Sequence, residues 1–100
     1  MTIEQLLSKL IESTNNDSIE WFPTSTVEYR YISDKGGISL KKMPNQYYVI
    51  KLYDMDNCFA SYNTQEITGL DVSATELFTS IVSSINRAIE KKIGDVFGGM

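Results

Sequence analysis

The sequence predicts an α+β domain of two layers, ordered α-β-β-β-β-α, in which an antiparallel meander carries both helices on one face. Three observations carry this expectation. Apolar residues recur at helical spacing near the start of the chain and again across its last third. Between them lie four runs in which apolar and polar residues alternate with a period of two. Short turns join these runs, which favours antiparallel neighbours, because parallel strands need long crossovers.

Thr2-Ile3-Glu4-Gln5 has the form of a capping box, Thr at the cap and Gln three residues on. After the cap, Ile3, Leu6, Leu7, Leu10 and Ile11 form one helical stripe, with Glu4, Gln5, Ser8, Lys9 and Glu12 opposite. The helix is expected to stop near Thr14, where Asn15-Asn16-Asp17-Ser18 offers side chains that compete for the backbone. Ile19, Trp21 and Phe22 then read as an apolar plug at one end of the core, ended by Pro23.

The first strand is expected from Ser25 to Ser33, with Val27, Tyr29 and Tyr31 alternating against Glu28, Arg30 and Ile32. Asp34-Lys35-Gly36-Gly37 reads as a hairpin turn in which glycine takes a positive φ. Ile38 to Met43 is the second strand, and Pro44-Asn45 turns the chain into a third, Gln46 to Tyr53. Asp54-Met55-Asp56-Asn57 is the next turn, and Cys58 to about Gln65 the fourth strand. Helices over the face of Ile38, Leu40, Tyr48, Ile50 and Leu52 leave Tyr47, Val49 and Tyr53 on the other face.

Ser73-Ala74-Thr75-Glu76 is a second capping box. Beyond it, Leu77, Phe78, Ile81, Val82, Ile85, Ala88, Ile89 and Ile93 fall within an arc of roughly 160° at 100° per residue. Lys92 alone intrudes, at a place where a base complements the helix dipole, and Gly94 is the expected C-cap. About 20 residues of helix span ~30 Å and strands of eight or nine span ~27–30 Å, so this helix is expected to lie across one whole sheet face. Residues 95–100 are expected to form a flexible, glycine-rich C-terminal tail to a single domain of 100 residues.

Composition bears mainly on what the chain does not do. Nine bases against thirteen acids give a formal charge of −4, which repels phosphate backbones, so no nucleic-acid partner is expected. The chain has no histidine, the commonest general base and zinc ligand, and its lone Cys58 lacks the histidine that would activate a thiolate. Asp54, Asp56 and Asn57 resemble the start of a calcium loop, yet Cys58, Phe59 and Gln65 stand where that loop needs an oxygen ligand, a glycine and a glutamate. Gly36-Gly37 is too short to cradle a phosphate. No enzyme activity, metal or cofactor is expected.

With one cysteine there is no disulfide framework. The first residues read as an amphipathic stretch rather than a leader, and no run approaches the ~18 apolar residues of a membrane span. The expected compartment is the cytoplasm, with no membrane partner.

Two surfaces remain for partners. Strand aromatics on an uncovered sheet face, Tyr47 and Tyr53 with Val49 and Phe59, suit a protein interface. Ser80, Ser83 and Ser84, with Thr79, leave the polar side of the last helix unusually small, which permits close approach by another helix. The function expected is therefore non-enzymatic: a protein-interaction or self-associating domain, with a protein partner or a homodimer, using the free sheet face. The alternative is a small acidic inhibitor of phage type that occupies a basic surface of a host protein.

Leu6, Leu7, Leu10, Thr14 and the Ile19-x-Trp21 pair, followed by Tyr47-Tyr48-Val49-Ile50-Lys51-Leu52-Tyr53-Asp54 and by Leu77-Phe78, give the chain a recognisable order. In that order it resembles a group of small, uncharacterised bacterial and phage proteins with a helix, an Ile-x-Trp, a β-meander and a long C-terminal helix. The resemblance implies a prokaryotic or phage origin and carries no activity.

Overall fold

The computed structural model describes residues 1–100. Helix α1 spans Ile3–Asn15, and five strands follow: β1 Phe22–Pro23, β2 Glu28–Ile32, β3 Gly36–Met43, β4 Tyr47–Asp54 and β5 Asn57–Asn63. Helix α2, Leu70–Phe97, ends the fold. The strands form one sheet in chain order, every neighbour antiparallel, and both helices pack on the same face. The α+β class and the meander are as expected, with one strand more. That extra strand is β1, whose Phe22 stands opposite Arg30 and Pro23 opposite Tyr29. Proline is tolerated there because an edge strand has a partner on one side only.

Helix α1 begins with the expected capping box: Gln5 N donates to Thr2 Oγ1 at 3.2 Å and Thr2 N to Gln5 Oε1 at 2.8 Å. Leu7 and Leu10 go into the core while Ile3, Leu6 and Ile11 pack at its margin. Of the expected plug only Trp21 is buried, at 4% exposure, and Phe22 is 48% exposed. Successive residues of an extended chain point to opposite faces, so burying one turns the other outward. The Trp21 Nε1–H donates to Thr14 Oγ1 at 2.9 Å, and that hydroxyl donates to Leu10 O at 2.6 Å.

Ile38, Leu40, Tyr48 and Ile50 form the sheet's contribution to the core, with Leu70, Ala74, Leu77 and Ile81 of α2 above them. Tyr29 and Phe78 meet edge to face, with ring centroids 5.4 Å apart. The β2–β3 turn corrects one expectation. Gly36 and Gly37 are already in β3, and neither has a positive φ. The turn runs through Ser33 to Lys35 and is closed by Ser33 N donating to Gly36 O at 2.7 Å. The glycines are needed for space: a Cβ on Gly37 would lie 2.6 Å from Tyr31 O, and one on Gly36 would collide with Tyr53 O.

Helix α2 departs from the expected bounds at both ends. It starts at Leu70, after Gly69 with φ 86°, so the Ser73–Glu76 box lies inside the helix and caps nothing. Leu70, Ala74, Leu77 and Ile81 are all essentially inaccessible, and their spacing continues one stripe a full turn upstream. Packing of that stripe outweighs a local capping preference of ~1 kcal/mol. At the other end the helix passes through Gly94 and stops at Phe97, with Gly98 N donating to Gly94 O. Residues 95–97, expected in the tail, are thus helical, and Lys92 lies more than one turn from the end it was expected to complement.

Candidate functional site

The uncovered face of the sheet carries Tyr47, Val49 and Tyr53 as expected, each half-buried. Around them the register sets two rows across the strands: Arg30, Ser39, Lys51 and Ser61, then Glu28, Lys41, Val49 and Asn63. Arg30 reaches across small Gly37 and Ser39 to lie over Tyr53, its Cζ 4.4 Å from the ring centroid. Its Nε is buried without a partner. Ser39 is only 2% exposed although no helix lies above it, because the long side chains on either side close over it. A shallow depression of about 200 Å³ remains between Glu28, Lys41, Val49 and Lys51. Three bases against one acid make this face basic in a chain of net charge −4.

Phe59 is not part of that surface. The register shifts between Leu52 and Tyr53, pairing Leu52 with Ala60 and Tyr53 with Cys58, so Phe59 is the unpaired residue of a β-bulge. It is 65% exposed and borders a groove of about 260 Å³ with Leu6, Leu10, Ile38 and Leu52, on the helix-covered side.

The three serines of α2 separate. Ser80 is buried at 7% exposure, and Ser84 Oγ donates to Asp17 Oδ1 at 2.7 Å. The close helix that small side chains permit is α1 of the same chain, and only Ser83 remains exposed. Asp17, just past α1, also takes Arg87 Nε at 3.1 Å and Nη2 at 2.9 Å. The Arg87 and Ser84 hydrogen bonds hold the Asp17 carboxyl below its ordinary range, and Asp17 in turn raises Arg87. Asp17 has φ 55°, a left-handed backbone that Asp tolerates better than most residues.

That cluster is the last tether of α2. From Asn86 onward every residue is exposed. Twenty-eight residues of helix run ~42 Å, about 15 Å more than strands of eight residues span. The overshoot carries apolar side chains with it: Ile89 is 52% exposed, Ile93 53%, Val96 57% and Phe97 56%. Sequence reasoning assigned Ile89 and Ile93 to the covered face and did not single them out. From the sequence the helix and strand lengths match; the overshoot appears only because α2 extends beyond the expected bounds at both ends, to Leu70 and Phe97.

Nowhere do three His, Cys, Asp or Glu side chains converge, and no helix is long and apolar enough to cross a membrane. Compared with known proteins, the chain matches no protein-family model, no curated protein and no solved structure.

Proposed function

We propose that this chain is a non-enzymatic, cytoplasmic protein-binding module of bacterial or phage origin, working through the half of α2 that leaves the body. One observation carries the reading: a continuous apolar stripe, Ile89 to Phe97, is held out in water on a helix with nothing of its own chain beside it. Apolar side chains set on a rigid helix are the form in which helices recognise a partner's apolar helix face. The uncovered sheet face is a weaker candidate, since Tyr53 is already occupied by Arg30 and the aromatic rings lie half-buried. Its bases also count against an acidic inhibitor that would present this face to a basic surface.

A photo-reactive phenylalanine analogue at Ile93, in the chain expressed in its native cell, tests the reading. Adducts to protein are expected from Ile93 and not from an analogue at Lys51 on the sheet face. Absence of adducts at Ile93 overturns it.

A further inference from the structure

We infer that the depression on the uncovered sheet face is a binding site for a small phosphate monoester, with Ser39 as its floor and Lys41 and Lys51 as its walls. The inference is independent of the reading of α2. It starts from the register. Ser39 stands opposite Lys51, and Lys41 opposite Val49, so these four residues are the corners of one cell of the sheet. The two lysines lie on its diagonal, with Cβ atoms ~7–8 Å apart. Both are exposed, and their long stems allow two ammonium groups to converge above the serine.

Two polar groups at this cell lack partners within the chain. Ser39 is only 2% exposed and lines the depression, yet its hydroxyl makes no hydrogen bond. Its cross-strand neighbour Arg30 keeps a buried Nε without a partner. Buried polar groups are ordinarily hydrogen-bonded, so donors left free beside two bases point to an acceptor from outside.

Charge narrows the ligand. The register sets Glu28 against Lys41, but Thr24 Oγ1 donates to Glu28 Oε1 at 2.6 Å and the two residues form no ion pair. The one ion pair in the chain is that of Arg87 with Asp17. Arg30, Lys41 and Lys51 against Glu28 leave two positive charges at the site, which a dianion neutralises and a monocarboxylate does not. Lysine binds phosphate as a point charge, whereas the flat fork of arginine best fits a carboxylate. The arginine here is stacked on Tyr53. The depression holds about 200 Å³, below the ~300–1,000 Å³ of sites for drug-sized ligands. That suits a phosphate group with a few carbon atoms, for which Val49 and Met43 supply the apolar lining.

The test uses the purified full chain, by calorimetry and amide chemical shifts at constant ionic strength. Propyl phosphate is the probe, compared with inorganic phosphate and acetate. Saturable binding of propyl phosphate is expected, with shifts at Ser39, Lys41 and Lys51. It should be tighter than inorganic phosphate and at least tenfold tighter than acetate. Lys51→Ala and Ser39→Ala are each expected to weaken it at least fivefold with an unchanged circular-dichroism spectrum, and Lys91→Ala on α2 to leave it intact. Equal losses in Lys51→Ala and Lys91→Ala would reveal diffuse charge screening and overturn the site. Inorganic phosphate bound as tightly as the ester overturns the ester as ligand, and acetate bound as tightly overturns the dianion. No saturation up to tens of millimolar overturns the site outright, and leaves the adducts expected from Ile93 unaffected.

Discussion

Thr14 connects the two ends of the first segment through a single hydroxyl. It is fully buried, accepts the Trp21 indole N–H and donates to Leu10 O. That one hydroxyl therefore ties the end of α1 to the buried indole of Trp21. Thr14→Val keeps the shape and removes the acceptor, stranding a buried indole donor, which costs about 1–3 kcal/mol. Urea unfolding should show this as a lowered midpoint at constant slope. A variant as stable as the parent would mean that the bond contributes nothing.

Asp17 supports a prediction of a different kind, in pH. Its carboxyl is held below the ordinary 3.8 by hydrogen bonds from Arg87 and Ser84. A depressed folded value stabilises the fold above the unfolded value, and that stabilisation is lost as pH falls through the folded value. The difference in stability between the chain and Asp17→Asn should therefore be constant near neutrality and shrink below about pH 4. The pair is exposed, so salt should shrink it as well. A difference that persists unchanged at pH 2 would argue that the carboxylate's charge is not involved.

At the scale of elements, α2 does two jobs in two halves. Leu77, with no exposed surface, belongs to the half that builds the core, and Ile93 to the half that does not. Leu77→Ala is expected to cost ~2–5 kcal/mol, and Ile93→Ala less than ~0.5 kcal/mol when the protein is dilute enough to be monomeric. Equal effects would show that the outer half is packed after all. Most elements were legible because their periodicity is local: the stripe of α1, the alternation of β3 and β4, and the capping box at Thr2 all stand as read. What was not legible depends on distant partners. The Ser73–Glu76 box looks like a helix start until Leu70 is seen to pack. Gly36 and Gly37 look like turn residues until the Tyr53 and Tyr31 carbonyls are seen to crowd them. Ser80 and Ser84 look like free surface until α1 and Asp17 occupy them. Ile89 and Ile93 look like core because a stripe records its angular face and not where the sheet beneath it ends.

The whole molecule measures 51 × 31 × 23 Å with a radius of gyration of 14.6 Å, against ~13 Å for a compact chain of this length. The excess length is the free half of α2. Its core is small, a cluster of eleven buried apolar residues, so association of the helices would add appreciably to stability. Were folded chains to pair through the stripe and unfolded ones not, unfolding would be coupled to concentration. Above the dissociation constant of such a pair, each tenfold rise in concentration would stabilise a protomer by about 0.7 kcal/mol, half of RT ln 10. For a domain of this size that is about 3–5 °C in Tm. Ile93→Glu would then melt at one temperature at every concentration, and the parent's curve would rise away from it as the protein is concentrated. Two superimposable flat curves would mean that the helix stands alone in solution, however exposed its apolar side.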